Sequence, residues 1–414
     1  MSVESWEPIL LNEVIREDSI LLGRGNIISS KDIAEIPGSY PIYSSSAKSN
    51  GEFGRYGNFM FDEELITWSI DGGGRFFYRP KHKFSVTNVC GYMRVALSRW
   101  DTRFVYYLLD LQHKNIAFDY QTKAHPSVIR NLYFLVRLPI EEQTQIAAIL
   151  STIDRAIEQT EAIIAKQQRI KTGLMQDLLT KGIDEDGNVR SEATHEFKDS
   201  PLGQIPVEWE IEKIGDVFDM QLGKMLSQKA GEGKSPFPYL GNKNIQWDYV
   251  DISELLEMDF NPEERQKFKL LENDILVCEG GEIGRTCLWR MELKDCYFQK
   301  AVHRLRPKRS RYAPSLFPRY MRHLVSRGIL NNFTSQTSIA HLTKEKLITV
   351  PISVPRNDEQ RRIVELFDQV DELLQNECRK LENLRLQKTG LMQDLLTGNV
   401  RVTALLNDSK TAQV

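Results

Sequence analysis

The sequence contains no run of eighteen apolar residues, the length a membrane-spanning helix needs, so no membrane span is expected. Its first residues, MSVESWEPILLNEVIRED, lack a basic stretch leading into an apolar one. A secretory leader is therefore not expected, and a cytoplasmic location is. Cysteine is scarce: Cys90, Cys278, Cys287, Cys296 and Cys378 are five in 414 residues, with no C-x-x-C pair. The gaps between Cys278, Cys287 and Cys296 fit no common zinc module, so ordinary thiols in a reducing compartment are expected. Catalytic strings are missing as well. There is no Asn-Pro-Pro-aromatic or Asp-Pro-Pro-aromatic string for methyl transfer to an exocyclic amine, no H-E-x-x-H and no G-x-S-x-G. GEGKS at 231–235 imitates a phosphate-binding loop, but Gln228 stands where that motif needs glycine. Nucleotide binding is excluded there. His82, His113, His125, His195, His303, His323 and His341 are scattered without metal-ligand spacing. No catalytic residue and no metal ligand is expected in this chain.

What is present reads as globular and multidomain. The chain is 41% hydrophobic and 27% charged, and 414 residues exceed one ordinary core. The net charge of −3 argues weakly against a nucleic-acid binder, although its distribution points the other way. The strongest signal is internal. KTGLMQDLLT occurs at 171–180 and again, identically, at 388–397, 217 positions on. Such a match marks a duplication. Followed backwards, Pro139 pairs with Pro355 after a one-residue shift, Glu142-Gln143 with Glu359-Gln360, Ile146 with Ile363, and Asp154 with Asp371. Ala124-His125 pairs with Ala340-His341, and Trp6 before LNEV matches Trp209 before IGDV.

Each copy ends in a long helical pattern. Ile146, Ile149, Ile153, Ala156, Thr160, Ile163, Gln167, Ile170 and Leu174 alternate three and four apart; Ile363, Leu366, Val370, Leu373, Leu381, Leu384, Leu391 and Leu395 hold a looser version. This is a heptad seam. A proline followed by acids (Glu141, Glu142; Asp358, Glu359) suits each helix start. Forty residues make about 60 Å of helix. So long a helix does not bury its seam within its own half, so the two copies are expected to pair antiparallel about a pseudo-two-fold axis. Gly173 and Gly390 stand at matching places near the helix ends. Since a mid-helix glycine costs about 1 kcal/mol, a close backbone approach or a local break is expected at both. Residues 181–206 are polar and aperiodic and read as a linker, in which Gly187-Asn188-Val189-Arg190 is echoed by GNVR after the second helix. The final residues, NDSKTAQV, look frayed.

Two stretches lack acids. From Gly72 to Trp100 stand Arg75, Arg79, Lys81, Lys83, Arg94 and Arg99, interleaved with aromatics; from Cys296 to Thr343 stand Lys300, Arg304, Arg306, Lys308, Arg309, Arg311, Arg319, Arg322 and Arg327. One positive face per half is the footprint of a duplex binder, with cations on phosphates and Arg, Asn and Gln near base edges; a solvated basic surface is the other reading of either run, which their coincidence in both halves disfavours. The turns DGGGR (71–75) and EGGEIGR (279–285) each follow a strand-like segment. Tight turns needing positive φ are the better reading of both, with phosphate cradles the other. A hydrogen bond structuring the junction of globular segment and helix is the favoured role of His125 and His341, with contact to DNA or a partner as the alternative.

Two variable globular segments, each closed by L/V-P-x-x-E-Q-x-x-I and a long helix ending in K-x-G-L-M-Q-D-L-L-T, resemble the specificity subunit of type I restriction–modification systems. The segments 139–180 and 355–397 resemble that family's conserved regions, and 272–307 resembles the core of its target recognition domain; 65–95 has the same strand–Gly loop–strand order with little identity. The resemblance implies an α+β protein: two mixed α/β target recognition domains (1–138 and 206–353) and two long helical regions (139–182 and 354–399) forming an antiparallel coiled coil. A linker (183–205), a C-terminal tail (400–414) and a pseudo-two-fold internal repeat complete it. It implies a non-catalytic subunit that reads a bipartite double-stranded DNA target. Two modification subunits, which bind S-adenosylmethionine and methylate adenine, would dock one per repeat, and restriction subunits using ATP and Mg would join. The candidate DNA contacts are Arg24, Lys48, Arg75, Tyr78, Arg79, Lys81, Lys83, Asn88, Lys224, Lys243, Asn244, Arg285, Gln299, Lys300, His303, Arg304 and Arg306. The candidate docking and spacer positions are Gln143, Ile146, Ile153, Gly173, Leu174, Gln360, Ile363, Val370, Gly390 and Leu391. Two other readings stay open: the recognition part of a related fused restriction–methylation or phage-defence complex, and a coiled-coil scaffold that does not touch DNA.

Overall fold

The computed structural model describes residues 6–17, 19–45, 49–71, 73–116, 118, 123–226, 236–333 and 341–405. Two compact units emerge. One is Met1–Ala162 with Cys378–Val414; the other is Ile163–Glu377. The first unit carries β1 (Pro8–Leu10), α1 (Leu11–Arg16), β2 (Ile20–Arg24), α2 (Ser30–Glu35), β3 (Tyr40–Tyr43), β4 (Glu52–Tyr56), β5 (Phe61–Ser69), β6 (Phe76–Val86), β7 (Cys90–Val95), α3 (Thr102–His113), α4 (Pro126–Leu132) and β8 (Phe134–Val136), and α5 (Ile140–Thr180) begins in it. The second carries β9 (Phe197–Ser200), β10 (Gly203–Pro206), β11 (Glu210–Lys213), α6 (Ile214–Val217), β12 (Phe218–Leu222), β13 (Pro236–Leu240), β14 (Leu256–Asp259), α7 (Pro262–Phe268), β15 (Ile275–Cys278), β16 (Thr286–Leu288), β17 (Tyr297–Phe298), β18 (Val302–Pro307), α8 (Leu316–Ser326), α9 (Lys344–Leu347) and β19 (Pro351–Val354), and α10 (Asn357–Leu396) begins in it.

The duplication is visible in the strand order. In the first unit one sheet runs β2-β7-β5-β6-β3-β4, with β3 and β6 parallel. In the second the order is β12-β18-β15-β16 and β14-β13-β17, with β13 and β17 parallel. The long strand β6 is replaced by two short ones, β16 and β17, so the same order divides into two sheets. The ribbons β1–β8 and β11–β19, both antiparallel, also correspond. The halves with little sequence identity thus share one α+β topology. Local chemistry supports the elements: Asp101 caps α3 by accepting from Arg103 and Phe104 N–H, and Asn261 and Glu264 form a capping box on α7.

Each core is closed by pieces of both long helices. In the first unit Trp68, Phe76, Phe104 and Leu135 pack with Ile146 and Leu150 of α5 and with Met392, Leu395 and Leu396 of α10. In the second, Phe218, Ile275, Phe317 and Ile352 pack with Ile363 and Phe367 of α10 and with Leu178 and Leu179 of α5. The identical decapeptide therefore plugs its Leu-Met and Leu-Leu pairs into the unit its own copy does not begin. Each fully buried Leu or Met is worth ~1.5–3 kcal/mol. Ion pairs repeat the pattern within each unit. Lys388 meets Asp154 and Arg385 meets Glu161 in the first, so partner numbers fall as α5 ascends; Lys171 meets Asp371 in the second. This is antiparallel pairing.

Three expectations need correction. First, the seam is phased differently. Positions 146, 153, 160, 167 and 174 face inward, but Ile163, Ile170 and Leu373 are exposed and Ile149 and Ala156 only half-buried. The buried or half-buried heptad is Ile146, Leu150, Ile153, Ile157, Thr160, Ile164, Gln167, Lys171, Leu174 and Leu178, and adding 217 to each number gives the second copy from Ile363 to Leu395. Second, α5 and α10 are unbroken at Gly173 and Gly390, which are exposed, with nothing within 4 Å of where a Cβ would stand. They lie opposite the plugged Leu and Met, so neither a break nor a close approach occurs within the chain. Third, the segment read as a linker is folded. It contains the β9–β10 hairpin and the buried Arg190, held by long-range bonds that leave no periodicity. The tail begins folded too, with Val402 in the first core; NDSKTAQV lies outside the described residues.

Candidate nucleic-acid interface

In each unit a cluster of turns gathers around the start of one strand. In the first, Gly25 N–H donates to Cys90 O, Asn26 N–H to Val86 O, Thr87 N–H to Tyr43 O and Ile70 N–H to Val89 O. In the second, Gly223 donates to Val302, Lys224 to Phe298, Gln299 to Leu240 and Glu279 to Ala301. The glycine turns open from these clusters. Gly73 and Gly74 have φ of 84° and 77°, and Gly281 and Gly284 have 77° and 74°, as tight turns require. The same bonds re-pair one residue: Ala124 N–H donates to Ile70 O, and its counterpart is Leu342 N–H to Glu279 O. His125 then caps α4, while Thr343 occupies that place on α9. His125 and His341 are therefore not equivalent, and His341 is an exposed side chain against Gly280.

The acid-free runs are not uniformly positive faces, because acids distant in sequence neutralise them. In the second run Arg306 forms a two-armed bond to Asp274, Arg311 pairs with Glu210 and Glu212, Arg319 with Asp368 and Asp371, and Arg322 with Asp248. Arg304 donates to Lys267 O and lies over Phe298. Burial, and then Arg306, lower its pKa. In the first run Arg94 pairs with Glu63 and Arg99 with Glu17. Three candidates are buried. Arg79, 1% exposed, bonds Thr67 Oγ1 and Asn50 O and stacks on the Tyr43 ring at 3.6 Å. Burial pushes its pKa down to about 10, and it braces the sheet instead of meeting a phosphate. His303 Nε2 donates to Leu342 O, and burial holds the imidazole below its ordinary range. Asn244 bonds Gly241, Asp251 and Glu254 backbone groups and braces its loop.

The remaining candidates divide by access. Arg24, Arg75, Lys81, Lys83, Lys243 and Lys300 are exposed; Lys83 lies over the Tyr40 and Phe59 rings, and Lys243 meets Glu254. Asn88, Tyr78, Lys224, Arg285 and Gln299 are half-buried. Of these Tyr78 donates to Glu64, Lys224 pairs with Glu264, and Arg285 donates to Asn242 O. Burial, and then the Glu64 bond, push the Tyr78 phenol up to about 12. Lys48 and the 231–235 glycine string lie outside the described residues. Cys90, Cys278, Cys287 and Cys296 are buried free thiols and Cys378 an exposed one.

Among the docking candidates, Ile146, Ile153 and Ile363 are buried, Leu174, Val370 and Leu391 half-buried, and only Gly173 and Gly390 exposed. Gln143 is internal: it accepts from Asp101 N–H and donates to Arg99 and Leu138 carbonyls; Gln360 does the same with Ala313, Arg311 and Pro355. The neighbouring glutamates were missed as structural centres. Glu359 is held by Arg190, Trp209 Nε1 and Ile183 N–H, and Glu142 by both arms of Arg401. The repeated GNVR supplies both arginines and was the signal for them.

Among the described residues no group of three or more His, Cys, Asp or Glu could hold a metal, and no helix is long and apolar enough to cross a membrane. The fold is, in class, an internally duplicated α+β protein in which one strand order recurs in two units. A family model described as the type I restriction modification DNA specificity domain matches twice, over residues 4–167 and 206–386. The chain belongs to that family, as a DNA specificity subunit. It is similar to the type I restriction enzyme MjaVIII specificity subunit of Methanocaldococcus jannaschii, with 24% identity over 97% of this chain and 94% of that one. It is also similar to the MpnII specificity subunit of Mycoplasma pneumoniae, with 31% identity over 34% and 42% of the two chains. The fold matches the crystal structure of the S subunit from M. genitalium with a TM-score of 0.60 at 17% identity, covering 96% of this chain and 97% of that one.

Proposed function

We propose that this chain reads a two-part duplex DNA sequence, one part with each globular unit, and assembles the catalytic subunits without carrying a catalytic residue. The observation that carries this reading is the duplication of one strand order and one hydrogen-bonded turn cluster in both units. The target recognition domains are 1–138 and 206–353, and the DNA-facing set is Arg24, Arg75, Lys81, Lys83, Asn88, Lys243, Gln299 and Lys300. Two modification subunits bind S-adenosylmethionine and methylate adenine at N6; restriction subunits bring ATP and Mg, and the assembly works in the cytoplasm. Two equal partners suit the helices. The outer faces Thr172, Gly173 and Gln176 and Thr389, Gly390 and Gln393 are identical and exposed, and their glycines leave room for a close approach. The test is reconstitution. The purified chain should methylate nothing alone, and with a modification subunit and S-adenosylmethionine should give N6-methyladenine at one bipartite motif. Exchanging residues 1–138 for those of a relative should change one part of the motif. Methyl transfer by the isolated chain, or a change in both parts, refutes it.

A further inference from the structure

The matched turn clusters share a feature that no charge pattern reveals. Gly25 and Gly223 are pressed against the neighbouring strand: a Cβ would stand 1.9 Å from Val86 O at the first and 2.4 Å from Gln299 O at the second. Both turns are fixed by equivalent backbone bonds, and Asn26 and Lys224 form equivalent parallel bridges, to Thr87 and Gln299. The next residue in each is a large aliphatic side chain in solvent. Ile27 is 79% exposed and Met225 is 63% exposed, with Leu226 beside it. Single exposed aliphatics are ordinary. Two at one backbone position of two units that share little sequence, each on a turn braced so that it points out, are not explained by the packing of either unit.

Their surroundings hold groups of the kinds that meet nucleic acid. The Asn26–Thr87 bridge brings the half-buried Asn88 near Ile27, with the exposed Arg24 three residues before it; beside Met225 the turn Gln299–Lys300 supplies an amide, whose Oε1 also accepts from Ala301 N–H, and an exposed cation. Lys300 N–H donates to Lys224 O, which ties that cation to the Met225 turn. Met225, Gln299, Lys300 and His341, together with the half-buried Glu279, line one cleft of about 340 Å³. A cation for phosphate, an amide for a base edge and an aliphatic tip between them complement a DNA groove.

We infer that Ile27 and Met225 are a matched pair of apolar base contacts, one for each half of the target. Resting on the proposed recognition of a bipartite site, the inference adds which side chains meet the bases. The shared chemistry is an aliphatic group against apolar base surface, offered by a thymine methyl in the major groove or by an opened base step.

The test uses the reconstituted complex with modification subunits and the variants Ile27→Ser and Met225→Ser, whose exposure spares the fold. Each should lower affinity for the target about tenfold and relax the methylated motif in one part only, a different part for each. The slope of affinity against salt should not change, because no counterion is released by a neutral side chain, whereas Lys300→Ala should flatten it by roughly one unit. Uracil in place of thymine in the half-site reproduces the Met225→Ser loss if a methyl is the contact; reduced bending of the target marks an opened step. Unchanged affinity and motif in both variants overturn the inference, as does loss of the modification subunits with sequence preference intact. A wild-type complex that prefers no bipartite sequence would instead refute the proposed function.

Discussion

Arg190 is the perturbation from which the structure allows the clearest magnitude. Its side chain is 4% exposed and the Glu359 carboxylate it grips is 2% exposed. Glu359 also accepts from Trp209 Nε1 at 3.1 Å and Ile183 N–H at 3.0 Å. Arg190→Ala leaves this carboxylate buried without its cation, which costs about 3–5 kcal/mol. The counterpart in the other unit is less sealed. Glu142 is 2% exposed, but the Arg401 side chain is 35% exposed, so water reaches the site when it is cut back. Arg401→Ala should cost about 1.5–3 kcal/mol, the range for a hydrogen bond to a charged group. Hydrogen exchange on the full chain separates the two, since a single unfolding energy is poorly defined for two units. Arg190→Ala should speed exchange in 178–190 and 357–367, and Arg401→Ala in 140–150 and 391–402. The paired change Arg190→Met with Glu359→Gln should recover most of the loss, because no charge then stays buried. Equal losses, or no recovery, would refute the reasoning that burial sets the cost.

Two further outcomes follow from the second unit and from the helices. Burial, and then the Arg327 guanidinium, hold His323 on α8 down to about 4, while the unfolded chain takes up that proton near 6.5. Its contribution is therefore fully present above pH 6.5 and lost as pH falls toward 4, by up to ~3 kcal/mol; His323→Gln should flatten the thermal stability of that unit across this window, and an unchanged slope would assign the acid sensitivity elsewhere. Four residues inserted in α5 after Lys166 and four in α10 after Asn376 add about one turn, near 6 Å, and keep both seams nearly in phase. On the proposed reading the gap in the target should grow by one or two base pairs, at 3.4 Å each, with its two parts unchanged by methylome sequencing; an unchanged gap in an active complex would detach it from helix length.

The long helices and the duplication were legible because their signals are local. A decapeptide identity and a three-four spacing lie within one stretch of chain, and both survive folding. The phase of the seam did not follow as readily. Two heptad readings share positions 146, 153, 160, 167 and 174 and differ in whether the intervening residue is 149 or 150, 156 or 157, 163 or 164. Isoleucines at 149, 163 and 170 favour the wrong one. The fold decides by making Leu150 and Leu178 part of the cores, and Lys171 takes a seam position because its stem lies inward while its ammonium meets Asp371. The site was less legible for the same reason on a larger scale. Charge along a window measures composition, whereas charge on a face is settled by what the fold brings to it. Asp274, Glu210 and Asp368 lie outside the second acid-free run and cancel three of its arginines, and Arg79 turns inward onto Tyr43. What sets Lys300, Ile27 and Met225 apart among the proposed contacts is exposure on a turn whose backbone is fixed. That condition selects Lys300 and rejects His303 three residues later, and it selects Ile27 and Met225, whose side chains carry no charge for a sequence window to register.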